Sequence, residues 1–530
     1  MNESAPQKNL YWLMQPLLLA VVLVVGFLFG IYFQTSNETQ VVRGASHTTH
    51  LSSYHKLGEI LNFVQTKYVD SVDIDYLADV AAKAILKELD PHSYYIPRKE
   101  AEAVTNRMQG NMEGVGIEFF VFQDTVYIID LVPGSPAAES SLKKGDIIVT
   151  INDSLVSGVN RELSEIVEFF RGPESSFVAI DAMCSISGDK YSVELLRRPI
   201  PLSSLGASYL VEEGLLYVKI NSFTSRTYSE FMETIEDYAS RETGTNLILD
   251  LRHNPGGYLQ EAIKILSQFV AASGKPLVRT KGASTIERTY RSTGRRFFNV
   301  DKIVVLIDGA SASASEIIAG VLQDLDRGVV IGNQSFGKGS VQEHFVLNDN
   351  SAVRLTVSQY FMPSGRGIFK NEFAEKSYDD LEKFSTPNGR YVTQGQAIVP
   401  DIIVEPDSLF SHANFNQTLA IVNRLAFSYF INNLSSVESP ESFISESIIP
   451  HNWLEDLLLM AESQEEKQLI EDFYNNDNHR LHSFLNARVG RFFFGDDIYF
   501  QLLNETDPVF NTAVEVIQNG EIAGILKSRR

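Results

Sequence analysis

Between residues 207 and 405 short apolar runs alternate with stretches of helical period, and this alternation constrains the fold more than any other feature of the chain. The runs "LLYVKINSF", "NLILDLR", "KIVVLID" and "GVVIG" read as strands, and "EFMETIEDYAS", the stretch after "NPGG" and "SASEIIAGVLQD" read as helices. Such repetition predicts an α/β core whose buried strands are flanked by helices. The polar segment Asn371 to Gln394 is expected to be a loop ahead of the strand-like "AIVPDIIVEP".

At 530 residues the chain exceeds a single hydrophobic core, so two or more domains are expected. The run "YWLMQPLLLAVVLVVGFLFGIYF", residues 11–33, carries no charge and is long enough to cross a bilayer core of about 30 Å as a helix. No small-x-small cleavage site follows it closely, so a retained transmembrane anchor is expected rather than a cleaved signal peptide. Lys8 precedes the run and no basic residue follows until Arg43, which places the bulk of the chain outside the cytoplasm. The implied location is a single-pass inner (plasma) membrane protein, facing the periplasm in a Gram-negative cell. A polar tether at 34–50 and a helical region at 51–105, closed by "DPHSYYIP", come next.

The formal net charge of −22 argues against nucleic acid or an anionic membrane surface as the main partner. Cys184 is the single cysteine, which excludes an intramolecular disulfide framework and a multi-cysteine zinc site. No metal or cofactor is expected. Residues 407–530 read as a helical extension without a chemical motif.

From about 107 to 198 the pattern shifts to short strands: "GVGIEFFVFQDTVYIIDLV", "PGSPAAESSLKKGDIIVTIND" and "SSFVAIDAMCSI". Gly114 and Gly116 leave a run of unobstructed backbone, and the N–H groups of Val115, Gly116 and Ile117 form the kind of nest that captures a carboxylate. The "GVGI" loop, the "GSPA" turn and "KKGDIIVTIND", in this order, resemble a β-rich PDZ domain, a module that adds a peptide C-terminus to its sheet edge.

Three serines, Ser311, Ser313 and Ser315, stand where the strand "KIVVLID" gives way to a helix. A serine hydroxyl needs a base to act as a nucleophile, and the ten histidines form no familiar pattern around this corner. Lys338, between Gly337 and Gly339, serves if burial lowers its pKa toward neutrality. Gln342 offers an uncharged amide to orient the amine without holding it protonated. In "NLILDLRHNPGG" the N–H of Gly256 or Gly257, with that of the residue after the nucleophile, is suited to an oxyanion. The plainer alternatives are serines that cap a helix and a solvated loop lysine.

Taken together, "LILDLRHNPGG", "GASASASEIIAG" and "SFGKGSVQ" behind a PDZ domain resemble the carboxyl-terminal processing proteases, serine peptidases with a Ser-Lys dyad. The likeness spans about residues 51–405 and extends to "RLTVSQYFMPSGRGI" and "PDIIVEP". It implies a ClpP/crotonase-like protease core at 199–406, with Ser313 as nucleophile, Lys338 as base and Gln342 as orienter. Gly256, Gly257 and Ala314 then supply the oxyanion hole, and Ser311 and Ser315 are packing or capping residues. Asp324 shares the helix face of Ser313 and is expected to be structural. The resemblance also implies that Arg171 of "RGP" senses whether a PDZ gate is open. The expected function is a membrane-tethered endopeptidase acting on proteins or peptides with free C-termini, with a homodimer compatible. The alternative is a catalytically silent PDZ scaffold. Two departures from the family pattern are the insertion at about 370–393 and "RGPESSFV", where a glycine often precedes a hydroxyl residue.

Overall fold

The computed structural model describes residues 50–239, 244–368, 382–394, 397–405, 415–437, 439–445 and 448–527. The expected anchor at 11–33 and all but the last residue of the tether lie outside them. Among the described residues no helix is long and apolar enough to cross a membrane. The chain forms two compact units, one ending at Ala82 and the other comprising Lys83–Arg530. In the first unit the helix His50–Lys67 leaves Leu57, Ile60 and Phe63 exposed.

The second unit is built on a six-stranded sheet. Leu205–Glu212 pairs antiparallel with Leu215–Ile220; the order then runs Thr245–Asp250, Val300–Ile307, Val329–Gly332 and Ile402–Ile403, all parallel. Every residue of Leu215–Ile220 is buried, and so are the last five of Val300–Ile307. Strands buried on both faces need two covers. One cover is the expected set of helices, Thr227–Ala239, Leu259–Phe269 and Ala314–Asp324, packed on Leu247, Leu249, Ile303 and Val305.

The second cover is the C-terminal extension. Phe510, Ala513, Val516 and Ile517 of the helix Pro508–Gln518 pack on Tyr217, Ile248, Val304, Leu306 and Ile331. Uncovering Ile248, Val304, Leu306 and Ile331 at roughly 1.5–3 kcal/mol each is comparable with the whole stability of a domain, about 5–15 kcal/mol. The extension is therefore part of the core, not an appendage.

A second sheet, absent from the strand pattern read in the sequence, joins Tyr94–Ile96, Ala352–Phe361, Pro276–Lys281, Arg288–Arg291 and Ser340–Val346. Tyr94–Ile96 belongs to the "DPHSYYIP" stretch read only as the end of a helical region; it pairs antiparallel with Ala352–Arg354. The segment expected to be a loop between Asn371 and Gln394 also contains a hairpin, Lys383–Ser385 with Tyr391–Thr393. Its turn is closed by Thr386, which accepts the Gly389 N–H and donates its own to Arg390. Residues 369–381 lie outside the described set.

The β-rich region has the strand order Ile117–Phe122, Thr125–Leu131, Ile147–Ile151, Phe177–Met183 and Lys190–Leu196, with Ile117–Phe122 at the edge. Its inner face packs Val126, Ile128, Ile148, Val178 and Ile180 against Ile166 and Phe170 of the helix Leu163–Phe170. Its outer face carries Phe120, Phe122 and Tyr127 onto Phe427 of the extension helix Phe415–Asn432.

Candidate active site

The strand Val300–Ile307 ends at Asp308, whose carboxylate Oδ1 accepts the N–H groups of Ala310, Ser311 and His253, each at 3.0 Å. Ser311 and Ser315 are fully buried and tie this corner to the neighbouring loop. Ser311 Oγ donates to the Leu251 carbonyl at 2.8 Å, and Ser315 Oγ donates to that of Asn254 at 3.0 Å. Small hydroxyls are what fit there, and they are structural, as expected. Ser313, only partly buried, stands between them as the N-cap of Ala314–Asp324 with φ 55° and ψ −111°. That backbone costs on the order of 1–3 kcal/mol and persists only where the surroundings enforce it.

Gly256 is part of that enforcement. A Cβ there would lie 2.6 Å from the Ala312 carbonyl oxygen and 2.7 Å from Ser313 Cβ, so only glycine allows the loop to touch the corner. Gly256 donates its N–H to Asn254 Oδ1 at 2.8 Å, which removes it from the expected oxyanion donors. Gly257 (φ 145°) packs so closely on the Phe223 carbonyl that a side chain would overlap it. Its carbonyl and amide neighbours are engaged with Phe223 through Gly256 and Tyr258, not through its own N–H. The Ala314 N–H opens the helix and has no intrahelical acceptor.

Glu316, fully buried, joins the serine corner to the lysine loop. Its Oε2 accepts the N–H groups of Ser313 at 2.8 Å and Lys338 at 2.9 Å; its Oε1 accepts the Ser335 hydroxyl at 2.6 Å and the Gly337 N–H at 2.7 Å. Burial pushes the Glu316 carboxyl above its ordinary value, and the four donors pull against that shift. Sequence reading passed over this residue, although Ser313-x-x-Glu316 is a capping-box spacing.

Lys338 is half-buried, and burial lowers its amine below the ordinary lysine value. The Arg354 guanidinium acts in the same direction, while the carboxylates of Glu316 and Asp90 oppose it. Among the described residues no hydrogen bond joins Lys338 Nζ to Ser313 Oγ. The Ser313 side chain lies near the Tyr360 hydroxyl instead, and that hydroxyl donates to the Lys338 carbonyl. Burial holds the Tyr360 phenol well above its ordinary value, hence neutral. Gln342 is not on Lys338 either. Its Nε2 donates to Ser340 Oγ at 2.7 Å and reaches Thr356 Oγ1 at 3.5 Å.

Asp324, at the far end of the helix, pairs with buried Arg366 at 2.8 Å and accepts the Ser364 N–H at 3.0 Å, a structural arrangement. In the β-rich region the carbonyls of Val115 and Gly116 accept the Ala137 and Val132 N–H groups, each at 2.9 Å, next to the edge strand that begins at Ile117. Arg171 is the C-cap of Leu163–Phe170 and pairs with Glu168 at 2.8 Å on its own helix, with no bond to the serine corner. The carbonyls at that helix end, Phe169 and Phe170, are taken by Arg197, which the sequence did not single out.

A model of peptidase family S41 matches residues 214–376, and a PDZ domain model matches residues 104–180. A carboxy-terminal-processing protease of Bartonella bacilliformis is 31% identical over 404 residues, covering 75% of this chain and 86% of its own. The chain belongs to peptidase family S41. As a member of that family it is a serine-type peptidase with a PDZ domain in a mixed α/β, multidomain fold. The carboxy-terminal processing protease CtpB of Bacillus subtilis is 30% identical over 320 residues, 59% of this chain and 65% of its own. Among solved structures, a photosystem II D1 C-terminal processing protease is 23% identical with a TM-score of 0.36, covering 66% of this chain and 86% of its own.

Proposed function

We propose that this S41 peptidase is a membrane-tethered endopeptidase that recognises a free C-terminus on its PDZ domain and cleaves a peptide bond with Ser313 and Lys338. The observation that carries the reading is the Glu316 carboxylate, which holds the backbone of both residues on one oxygen. Lys338, made a weaker base by burial and by Arg354, takes the Ser313 proton as Oγ attacks the scissile carbonyl. The oxyanion is received by the N–H groups of Gly257 and Ala314. The ammonium then returns its proton to the leaving amine, and water releases the acyl group by the reverse sequence. The Ser313 side chain, now beside Tyr360, turns to Lys338 when the site is occupied; catalytic hydrogen bonds commonly tighten only in the complex.

The PDZ reading assigns the substrate carboxylate to the N–H groups of Val115, Gly116 and Ile117, with the peptide extending along the edge strand Ile117–Phe122. Arg171 exchanges its Glu168 partner when the PDZ domain changes state. Residues 11–33 anchor the chain, with the peptidase outside the cytoplasm, and the exposed apolar residues Leu57, Ile60 and Phe63 offer a surface for a homodimer. Labelling with a fluorophosphonate, together with turnover of an unfolded reporter ending in an apolar residue, tests the reading. Ser313→Ala and Lys338→Ala should abolish turnover with folding intact, whereas Ser311→Ala should retain it. Equal turnover of acid and C-terminally amidated peptides at sub-saturating concentration would remove the PDZ part alone. Membrane fractionation of full-length protein against a form lacking residues 1–34 tests the anchor. Activity in Ser313→Ala would favour a different nucleophile, and no turnover in any form would favour the silent scaffold.

A further inference from the structure

The turn Asp90–Ser93, legible in the sequence only as a helix terminator, lies against the base loop. The Asp90 carboxylate accepts the His92 N–H at 2.8 Å, Ser93 Oγ at 2.7 Å and Thr356 Oγ1 at 3.2 Å. Ser93 Oγ accepts the Thr356 N–H at 3.0 Å, so the turn grips Thr356 through both its backbone and its side chain. Thr356 stands opposite Gln342 in the strand pair, and Gln342 Nε2 reaches Thr356 Oγ1 at 3.5 Å. On the other side of the turn the His92 ring lies 6.5 Å from that of Phe336, two residues before Lys338.

A carboxylate gripped in this way keeps its charge. Burial raises the Asp90 carboxyl, but the hydrogen bonds from Ser93, His92 and Thr356 outweigh it and hold the group below its ordinary value. The titratable and charged groups facing Lys338 are then Glu316 from the nucleophile helix, Arg354 and Tyr360 from the strand Ala352–Phe361, and Asp90 from the turn. Arg354 and Asp90 act on the amine with opposite signs, and Arg354 is itself steadied by the strand that follows the turn, its Nη1 donating to the Tyr94 hydroxyl at 3.3 Å.

We propose that Asp90 is a positioning residue for the hydrolysis, fixing the Gln342-bearing strand through Thr356 and setting the charge environment of Lys338. The inference rests on the reading of Lys338 as the base. Two effects follow that a purely structural turn would not produce together. Asp90→Asn keeps an acceptor for Thr356 but removes the negative charge that favours the ammonium. Its rate therefore gains the neutral amine at lower pH, and the rising limb of the pH–rate profile moves down. Thr356→Val leaves the charge in place and cuts the link between Asp90 and Gln342.

The test is the pH profile of kcat and kcat/KM on full-length protein, with an unfolded reporter peptide ending in an apolar residue, beside thermal melting of each variant. Asp90→Asn should move the limb to lower pH with KM little changed. Thr356→Val should lower kcat about tenfold to a hundredfold, the weight of one hydrogen bond to a charged carboxylate, with the limb where the wild type has it, and Thr356→Ser should restore the rate. If Asp90→Asn fails to fold, the Thr356 pair still decides the positioning role. An Asp90→Asn limb coincident with the wild type, or a Thr356→Val rate equal to it, overturns the inference while Lys338→Ala remains inactive. Turnover by Lys338→Ala would instead overturn the base reading, and this inference with it.

Discussion

The backbone N–H groups of Ser313 and Lys338 converge on one oxygen, Glu316 Oε2, at 2.8 and 2.9 Å. The spacing between the proposed nucleophile and base is thus set by main chain and a buried carboxylate, before either side chain adopts a rotamer. Glu316→Gln is the sharpest probe, because an amide of the same shape must turn one NH2 toward two donors. Hydrogen bonds to a charged group are worth roughly 1.5–3 kcal/mol, so kcat should fall about tenfold to a hundredfold with KM little changed. Melting should also occur at a lower temperature. A Glu316→Gln enzyme with wild-type kcat would show that the two loops hold their spacing without the carboxylate.

The field around Lys338 makes a signed prediction. With the neutral amine as the proposed base, activity should rise with pH through a limb that lies below the ordinary lysine value, since burial and Arg354 both disfavour the ammonium. Removing the cation in Arg354→Gln should raise the amine's pKa and move the limb to higher pH. Lys338→Arg should be inactive, because a guanidinium stays protonated. A profile in Arg354→Gln that moves to lower pH would mean that the charges reach Lys338 differently from the arrangement seen here.

The loop before the helix Leu259–Phe269 predicts how little the serine corner tolerates. Gly256→Ala places a methyl 2.7 Å from Ser313 Cβ at a φ of 94°, so Ser313 must move. We expect a loss of at least about a hundredfold in kcat, in keeping with a displacement of about 1 Å at a reacting atom, and slower fluorophosphonate labelling. Gly274→Ala, with φ 73° but open space around it, is the matched control for backbone strain and should keep its activity. Equal activity in the two variants would mean that the close approach of Gly256 does not hold the nucleophile.

Much of this was legible because local chemistry left local marks. The α/β alternation, the glycines at 256 and 257, the serine corner and the glycine-flanked lysine are all short-range patterns, and the structure gathers those segments around Ser313. What escaped was settled by distant partners. "LLYV" and "IVVLI" contain no polar alternation, which already demands cover on both faces, but nothing local says that residues 508–518 provide the second one. Spacing in the sequence points Gln342 at Lys338, whereas strand pairing directs it to Ser340 and Thr356. Asp90 and Tyr360 lie far from the motifs in sequence and reach them only through the second sheet. Glu316 was available to a closer reading, three residues past the serine in a capping-box spacing.

The outer face of the PDZ sheet makes the last prediction. Phe427 is fully buried, with ring centroids 4.9 Å from Phe120, 5.3 Å from Phe122 and 5.1 Å from Tyr127, and 5.5 Å from Phe492 of its own extension. Phe120 and Phe122 share one face of the edge strand, while Phe119 turns to the other and meets Phe170 at 5.5 Å beneath the helix Leu163–Phe170. The strand assigned to the substrate is therefore held from behind by the extension. Phe427→Ala should cost about 3–5 kcal/mol of packing where the two regions meet. Because the rings lie outside the serine corner, hydrogen exchange should quicken in Ile117–Phe122 and Thr125–Leu131 while Val300–Ile307 keeps its protection. Turnover should lose part of its dependence on a free C-terminus, since the peptide then docks on a strand that is no longer fixed. Unchanged exchange in both PDZ strands would show that the phenylalanine cluster only fills space and does not steady the peptide-binding edge.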